Sequence, residues 1–265
     1  MVAMGLLSFI ILGLVLMFVQ TQRAFKTSMT QKDVLERGRV VTDMIARELA
    51  EITPSDTAYT TNFYAELSAK PTYQALPGMP NGYRTNYLQR FFFLNRLNQD
   101  WLGIGYQVVP DSPGAGVGTL YRYIADARSS EVRLLSATFQ RALAFGDVTN
   151  AIADGIVDLR LRAFDPSGWA ITPYWPTNSA METNTTRYWN LNAPDQVDSY
   201  YRSNAVPASL QLEVGILEPG ALAEYRALSD AGPAAQGQFL TNHASQVHLF
   251  RERIPIRDVD PTAFQ

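Results

Sequence analysis

Nineteen residues at the start of the chain, MVAMGLLSFIILGLVLMFV, are apolar or small and carry no charge. At ~1.5 Å of rise per residue, a helix of that length nearly spans a hydrocarbon core of ~30 Å. A helix apolar on every side needs lipid or other apolar helices around it. A secretory signal would need a basic start, a shorter apolar core and a small-x-small cleavage site. No Lys or Arg precedes the run, and Gln20 to Phe25 offers no such site. Residues 1–19 are therefore expected to form a membrane-spanning and assembly helix. Leu6, Phe9, Ile10, Leu14 and Phe18 are its lipid- or helix-facing residues.

Residues 20–53 continue the same helix with a changed character. No proline occurs before Pro54. At 100° per residue Val34, Gly38, Val41, Ile45, Leu49 and Ile52 fall on one stripe, with Glu36, Arg39, Asp43 and Arg47 opposite. Asp33 with Arg37, and Asp43 with Arg47, are acid-to-base pairs at helical spacing. Thr53-Pro54 ends the helix, because a residue before proline is pushed out of the α region. An amphipathic helix needs one partner surface. Val34, Val41, Ile45, Leu49 and Ile52 are the expected helix-to-sheet packing residues.

Residues 54–265 read as one β-rich domain. Period-two alternation places Leu102, Ile104, Tyr106 and Val108 on one face, with Gly103, Gly105 and Gln107 opposite. Val157, Leu159, Leu161 and Ala163 face in, with Asp158, Arg160 and Arg162 out. Leu210, Leu212, Val214 and Ile216 face in, with Gln211 and Glu213 out. Weaker strands are expected at 117–125 and 246–257, and Pro77 to Gly82 is a turn signal. Residues 131–146 fit a helix or a strand. Alternating strands imply an antiparallel sheet with one wet face.

Composition excludes several functions. There is no cysteine, so disulfides, thiolate metal sites and Cys nucleophiles are absent. With 22 basic and 25 acidic residues the net charge is −3, the wrong sign for binding nucleic acid by phosphate neutralisation. His243 and His248, five apart, point to opposite faces of a strand and read as structural. Gly114, Gly116 and Gly118 lack the lysine and helix of a phosphate loop and read as a turn. Asp195 and Asp198 do not have EF-hand spacing. No catalytic set, cofactor site or small-molecule substrate site emerges. The polar segment 173–205 carries Tyr174, Trp175, Tyr188 and Trp189. Long segments of this kind, rich in Tyr and Trp, suit a partner surface, although rings tucked onto their own domain are the plainer reading.

The helix VAMGLLSFIILGLVLMFVQTQRAF, followed by GRVVTDMIARELAEI, resembles the N-terminal helix of type IV pilin-like proteins. The likeness is closest to minor pilins and J-type minor pseudopilins. LRLRAFDPSG (159–168) and VPASLQLEVGIL (206–217) are similar, more loosely, to the J-type globular domain. The family's basic leader and G-F-T-L-x-E motif, with its glutamate, do not occur in this sequence.

This resemblance implies an α+β fold with a long N-terminal helix, apolar then amphipathic, packed on an antiparallel sheet. It implies no enzyme activity and no cofactor. The implied function is that of a structural subunit of a type IV pilus or type II secretion pseudopilus. Its partners would be other pilin-like subunits and inner-membrane lipid. The expected location is a single pass through the inner membrane, with the β-rich domain outside. An alternative is a membrane-anchored extracytoplasmic binding or sensor module with the helix as its stalk.

Overall fold

The computed structural model describes residues 2–68, 71–76, 82–169, 185–189, 197–260 and 263. The side chains of 2–10, 23, 24, 26, 27, 30, 185–189, 197 and 198 lie outside that description. Helix α1 runs from Val2 to Ala50. Among the described residues eleven strands follow: β1 (Thr57–Leu67), β2 (Thr72–Ala75), β3 (Tyr83–Asn86), β4 (Gln89–Leu97), β5 (Asp100–Pro110), β6 (Gly118–Arg128), β7 (Asn150–Phe164), β8 (Thr185–Trp189), β9 (Val197–Ser203), β10 (Ser209–Leu217) and β11 (Val247–Pro255). Three short helices are interleaved: α2 (Leu134–Phe145), α3 (Pro219–Ala227) and α4 (Pro233–Asn242).

Nine strands form one antiparallel sheet in the order β11-β10-β7-β6-β5-β4-β1-β9-β8, and β2 and β3 make a separate hairpin. The sheet curls until the start of β4 reaches β7. Leu88 bridges Leu159, and the Leu159 N–H donates to the Tyr87 carbonyl at 2.6 Å. Gln89 closes the same gap, its side-chain oxygen accepting the Leu161 N–H at 2.6 Å.

Three buried clusters hold the molecule. The largest lies between the end of α1 and the sheet, and it contains Val34, Val41, Ile45, Leu49, Ile52, Phe91, Phe93, Tyr106 and Leu159. A second lies on the other face, where Phe139 of α2 meets Tyr64 and Phe92. The third sits under α3 and α4, around Val157, Leu222, Tyr225 and Phe239.

These layers correct the expected fold class. The molecule is mostly β, one curled antiparallel sheet with short helices on its faces and the end of α1 against β11, β10 and β7. It is not a pilin-like arrangement with a long helix packed along a sheet. Among the described side chains of α1, those that are buried begin at Val34, and they pack against β11, β10 and β7. The described side chains before Val34 are all exposed.

The expected wet face is corrected as well. Gly103 and Gly105 are both buried, and their missing side chains make the seat of α2, where the ring of Phe139 lies on Gly105. The segment 131–146 fits both periods, and the packing of Leu135, Phe139 and Ala142 on the sheet decides for a helix. Gly146, at φ 72°, takes the left-handed cap that ends it. Asp158 and Glu213, placed outward by alternation, are 2% and 8% exposed. Tyr87 and β3 cross over that face of β7, and Arg251 of β11 covers Glu213.

The membrane expectation is also corrected. Among the described residues no helix is long and apolar enough to cross a membrane. The single-pass segment, and with it the inner-membrane placement, is therefore not supported.

Candidate assembly surface

The described side chains of the early helix have no buried contact among the described residues. Leu14, Phe18, Phe25 and Met29 are 61%, 62%, 66% and 63% exposed. At 100° per residue these four positions fall within one narrow stripe. Ile11, Leu12, Val15, Leu16 and Met17 add exposed apolar surface around it. Soluble monomers rarely leave a contiguous apolar patch of this kind uncovered. Leu6, Phe9 and Ile10 belong to the same helix, and their side chains lie outside the described residues.

The other end of the helix is firmly mounted. Glu48, in the last turn of α1, receives the Tyr106 hydroxyl at 2.6 Å and the Arg122 guanidinium at 2.7 Å. Tyr106 and Arg122 are opposite partners on β5 and β6, so a single carboxylate clamps two strands to the helix. Burial, and then the Glu48 carboxylate, push the Tyr106 hydroxyl well above its ordinary pKa. The Asn95 side chain donates to the Glu48 carbonyl at 3.0 Å, and the Thr53 N–H donates to the Leu94 carbonyl at 3.0 Å. The Glu48 carbonyl also accepts the Glu51 N–H at 3.3 Å, so the Asn95 bond is a second one at the helix end. A lever fixed at its base therefore carries the exposed stripe away from the sheet.

Beside the base of this lever is a groove of about 1070 Å³, between α1 and the ends of β6, β7, β10 and α3. Val40, Ile152, Pro219 and Leu222 give it an apolar lining. Asp33, Glu36 and Arg37 line it from α1, and Asp154 and Arg226 from the opposite wall. Arg226 bridges Asp111 at 2.9 Å and Asp154 at 2.5 Å, and Thr119 also donates to Asp154 at 2.9 Å. Those donors hold the Asp154 carboxyl below its usual range, Arg226 first among them.

The remaining sequence-derived sites are scattered. Val34, Val41, Ile45, Leu49 and Ile52 are all buried in the core between helix and sheet. Tyr174 and Trp175 lie outside the described residues. Tyr188 and Trp189 lie on β8 at the far edge of the sheet, so this part of 173–205 is strand rather than loop. Asp195 falls outside the described residues, and so does the side chain of Asp198. His243 stacks on Phe239 at 3.9 Å between ring centres, and His248 pairs with Glu218 at 2.8 Å. Among the described residues no group of three potential ligands could hold a metal ion.

Sequence reasoning missed the Glu48 clamp and the groove. Both join residues far apart in the chain, and local periodicity carries no trace of such pairings. The chain matches no protein-family model, no curated protein and no solved structure.

Proposed function

We propose that this chain is a structural subunit that joins a multisubunit filament through its N-terminal helix. The observation that carries the reading is the stripe Leu14, Phe18, Phe25 and Met29, held out from the sheet with nothing among the described residues to cover it. Burying such a stripe among neighbouring helices removes several hundred Å² of apolar surface from water, on the order of 10 kcal/mol before ordering costs. The resemblance of the helix makes a type IV pilus or a type II secretion pseudopilus the class of filament to test first.

The test is incorporation in the organism that encodes the chain. Wild-type protein is expected in the sheared or cross-linked filament fraction. Leu14→Asp is expected to be absent from it while the β-rich domain keeps its melting temperature. Equal incorporation of wild type and Leu14→Asp would overturn the proposal.

A further inference from the structure

The groove beside the base of α1, about 1070 Å³ with an apolar lining and an acidic rim, suits an apolar, basic helix, and the same chain offers one. We infer that the groove seats the N-terminal helix of a second copy of this chain, so that copies join head to tail. This rests on the reading of the chain as an assembly subunit, and it adds where the helix of each copy goes.

Two observations select this occupant. The first is charge. Residues 1–32 contain Arg23, Lys26 and Lys32 and no acidic residue; the first acid in the chain is Asp33. Asp33 also begins the groove, which continues with Glu36 and Asp154. Asp111 stands just behind, bound to Arg226. Four carboxylates thus surround two guanidinium groups, Arg37 and Arg226, leaving an acidic excess for a helix that is purely basic. Opposed charges of this kind fix register and steer encounter.

The second observation is the complementarity of two uncovered apolar surfaces. Val40 on the groove wall is 61% exposed, and Phe25 on the helical stripe is 66% exposed. Both surfaces sit on one continuous helix, the groove wall displaced from the middle of the stripe by about 20 residues or roughly 30 Å along its axis. A self-contact between displaced patches is heterologous. It leaves a free stripe at one end and a free groove at the other, so that further copies can add.

The chain has no cysteine, so engineered cysteines report the contact without background. One copy carries Phe25→Cys and the other Ala223→Cys, at an exposed groove position on α3. Both copies are full-length, and melting curves confirm that each folds as wild type. They are mixed and oxidised with copper phenanthroline. A cross-linked heterodimer is expected in most of the protein, with a ladder of higher species when both cysteines are in one chain. Leu134→Cys, on α2 across the sheet, replaces Ala223→Cys as the control and is expected to give at least tenfold less product. Asp33→Lys combined with Glu36→Lys is expected to lower the Phe25–Ala223 yield at least fivefold, and adding Lys26→Glu to restore it.

Cross-linking between Phe25→Cys copies, with none to Ala223→Cys, would overturn the groove and leave helix-driven assembly standing. Monomers with no cross-link in any combination would overturn both readings. Equal yields at Ala223→Cys and Leu134→Cys would mean non-specific adhesion and would overturn the groove.

Discussion

Gly38 of α1 lies directly under the ring of Phe250 on β11, so close that a Cβ at Gly38 would overlap the ring. This contact sets how near the helix comes to the edge strand of the sheet. Alanine is ordinarily the better helix residue by about 1 kcal/mol. Here the overlap forces a shift, and overpacking of this kind costs about 1–3 kcal/mol. Gly38→Ala is therefore expected to lower stability in urea melts. In a Phe250→Ala background the same change is expected to be neutral or stabilising. A stabilising effect of Gly38→Ala alone would disprove the close docking.

The Glu48 clamp predicts a graded response. Tyr106→Phe removes one hydrogen bond and leaves Glu48 with Arg122, an expected loss of about 1–2 kcal/mol. Glu48→Ala leaves a buried hydroxyl and a guanidinium without their partner, and about 2–3 kcal/mol is expected. Equilibrium denaturation of the two variants and their double would measure this. Additive losses would mean that the three groups do not act together.

Asp158 gives a pH dependence with a definite sign. Burial pushes its carboxyl up to about 6, against the Tyr87 N–H, which donates to it at 2.7 Å, and the attraction of Arg84 and Arg160. Repulsion from Glu213 adds to the rise. The folded protein thus holds a proton that the unfolded chain has released, so stability falls as pH rises from about 4 to about 6. Above that range the full penalty is present, about 3 kcal/mol at ~1.4 kcal/mol per pH unit of displacement. Asp158→Asn keeps an acceptor for Tyr87 and removes the charge. It is expected to be more stable than wild type at pH 7 and to flatten the slope between pH 4 and 6. A wild type whose stability does not fall over that interval would contradict the assignment.

The seat of α2 predicts a fourth effect. Phe139 is fully buried against Tyr64 and Phe92, with ring centres 6.3 and 5.7 Å away. Phe139→Ala is expected to cost about 3–5 kcal/mol. Gly105→Ala, which pushes the ring off its seat, is expected to cost about 1–3 kcal/mol. Combined in one chain the two losses are expected to be smaller than their sum, as calorimetry would show.

Local patterns made part of this molecule legible. The stripe from Val34 to Ile52 could be read from spacing alone, because a helix against one surface repeats its apolar residues every three or four positions. The strands around Ile104, Leu159 and Leu212 follow the period of two. The second face did not yield to the same reasoning. Gly103 and Gly105 look like the wet side of a strand until α2 is placed on them. Asp158 alternates outward and is buried all the same, because β3 and Tyr87 arrive from another part of the chain. The run from Met1 to Val19 was legible as apolar, but apolarity alone does not distinguish lipid from a neighbouring helix. The groove was illegible for the same reason as the clamp: Asp33 and Asp154 meet only after folding.

The most direct test of the central claim is sedimentation velocity on the full chain and on Leu14→Asp combined with Phe18→Asp. The two substitutions lie on the exposed stripe, away from the β-rich domain. Wild type is expected to form discrete oligomers that grow with concentration. The double variant is expected to sediment as a monomer with an unchanged melting temperature. Identical size distributions for the two proteins would contradict helix-driven assembly.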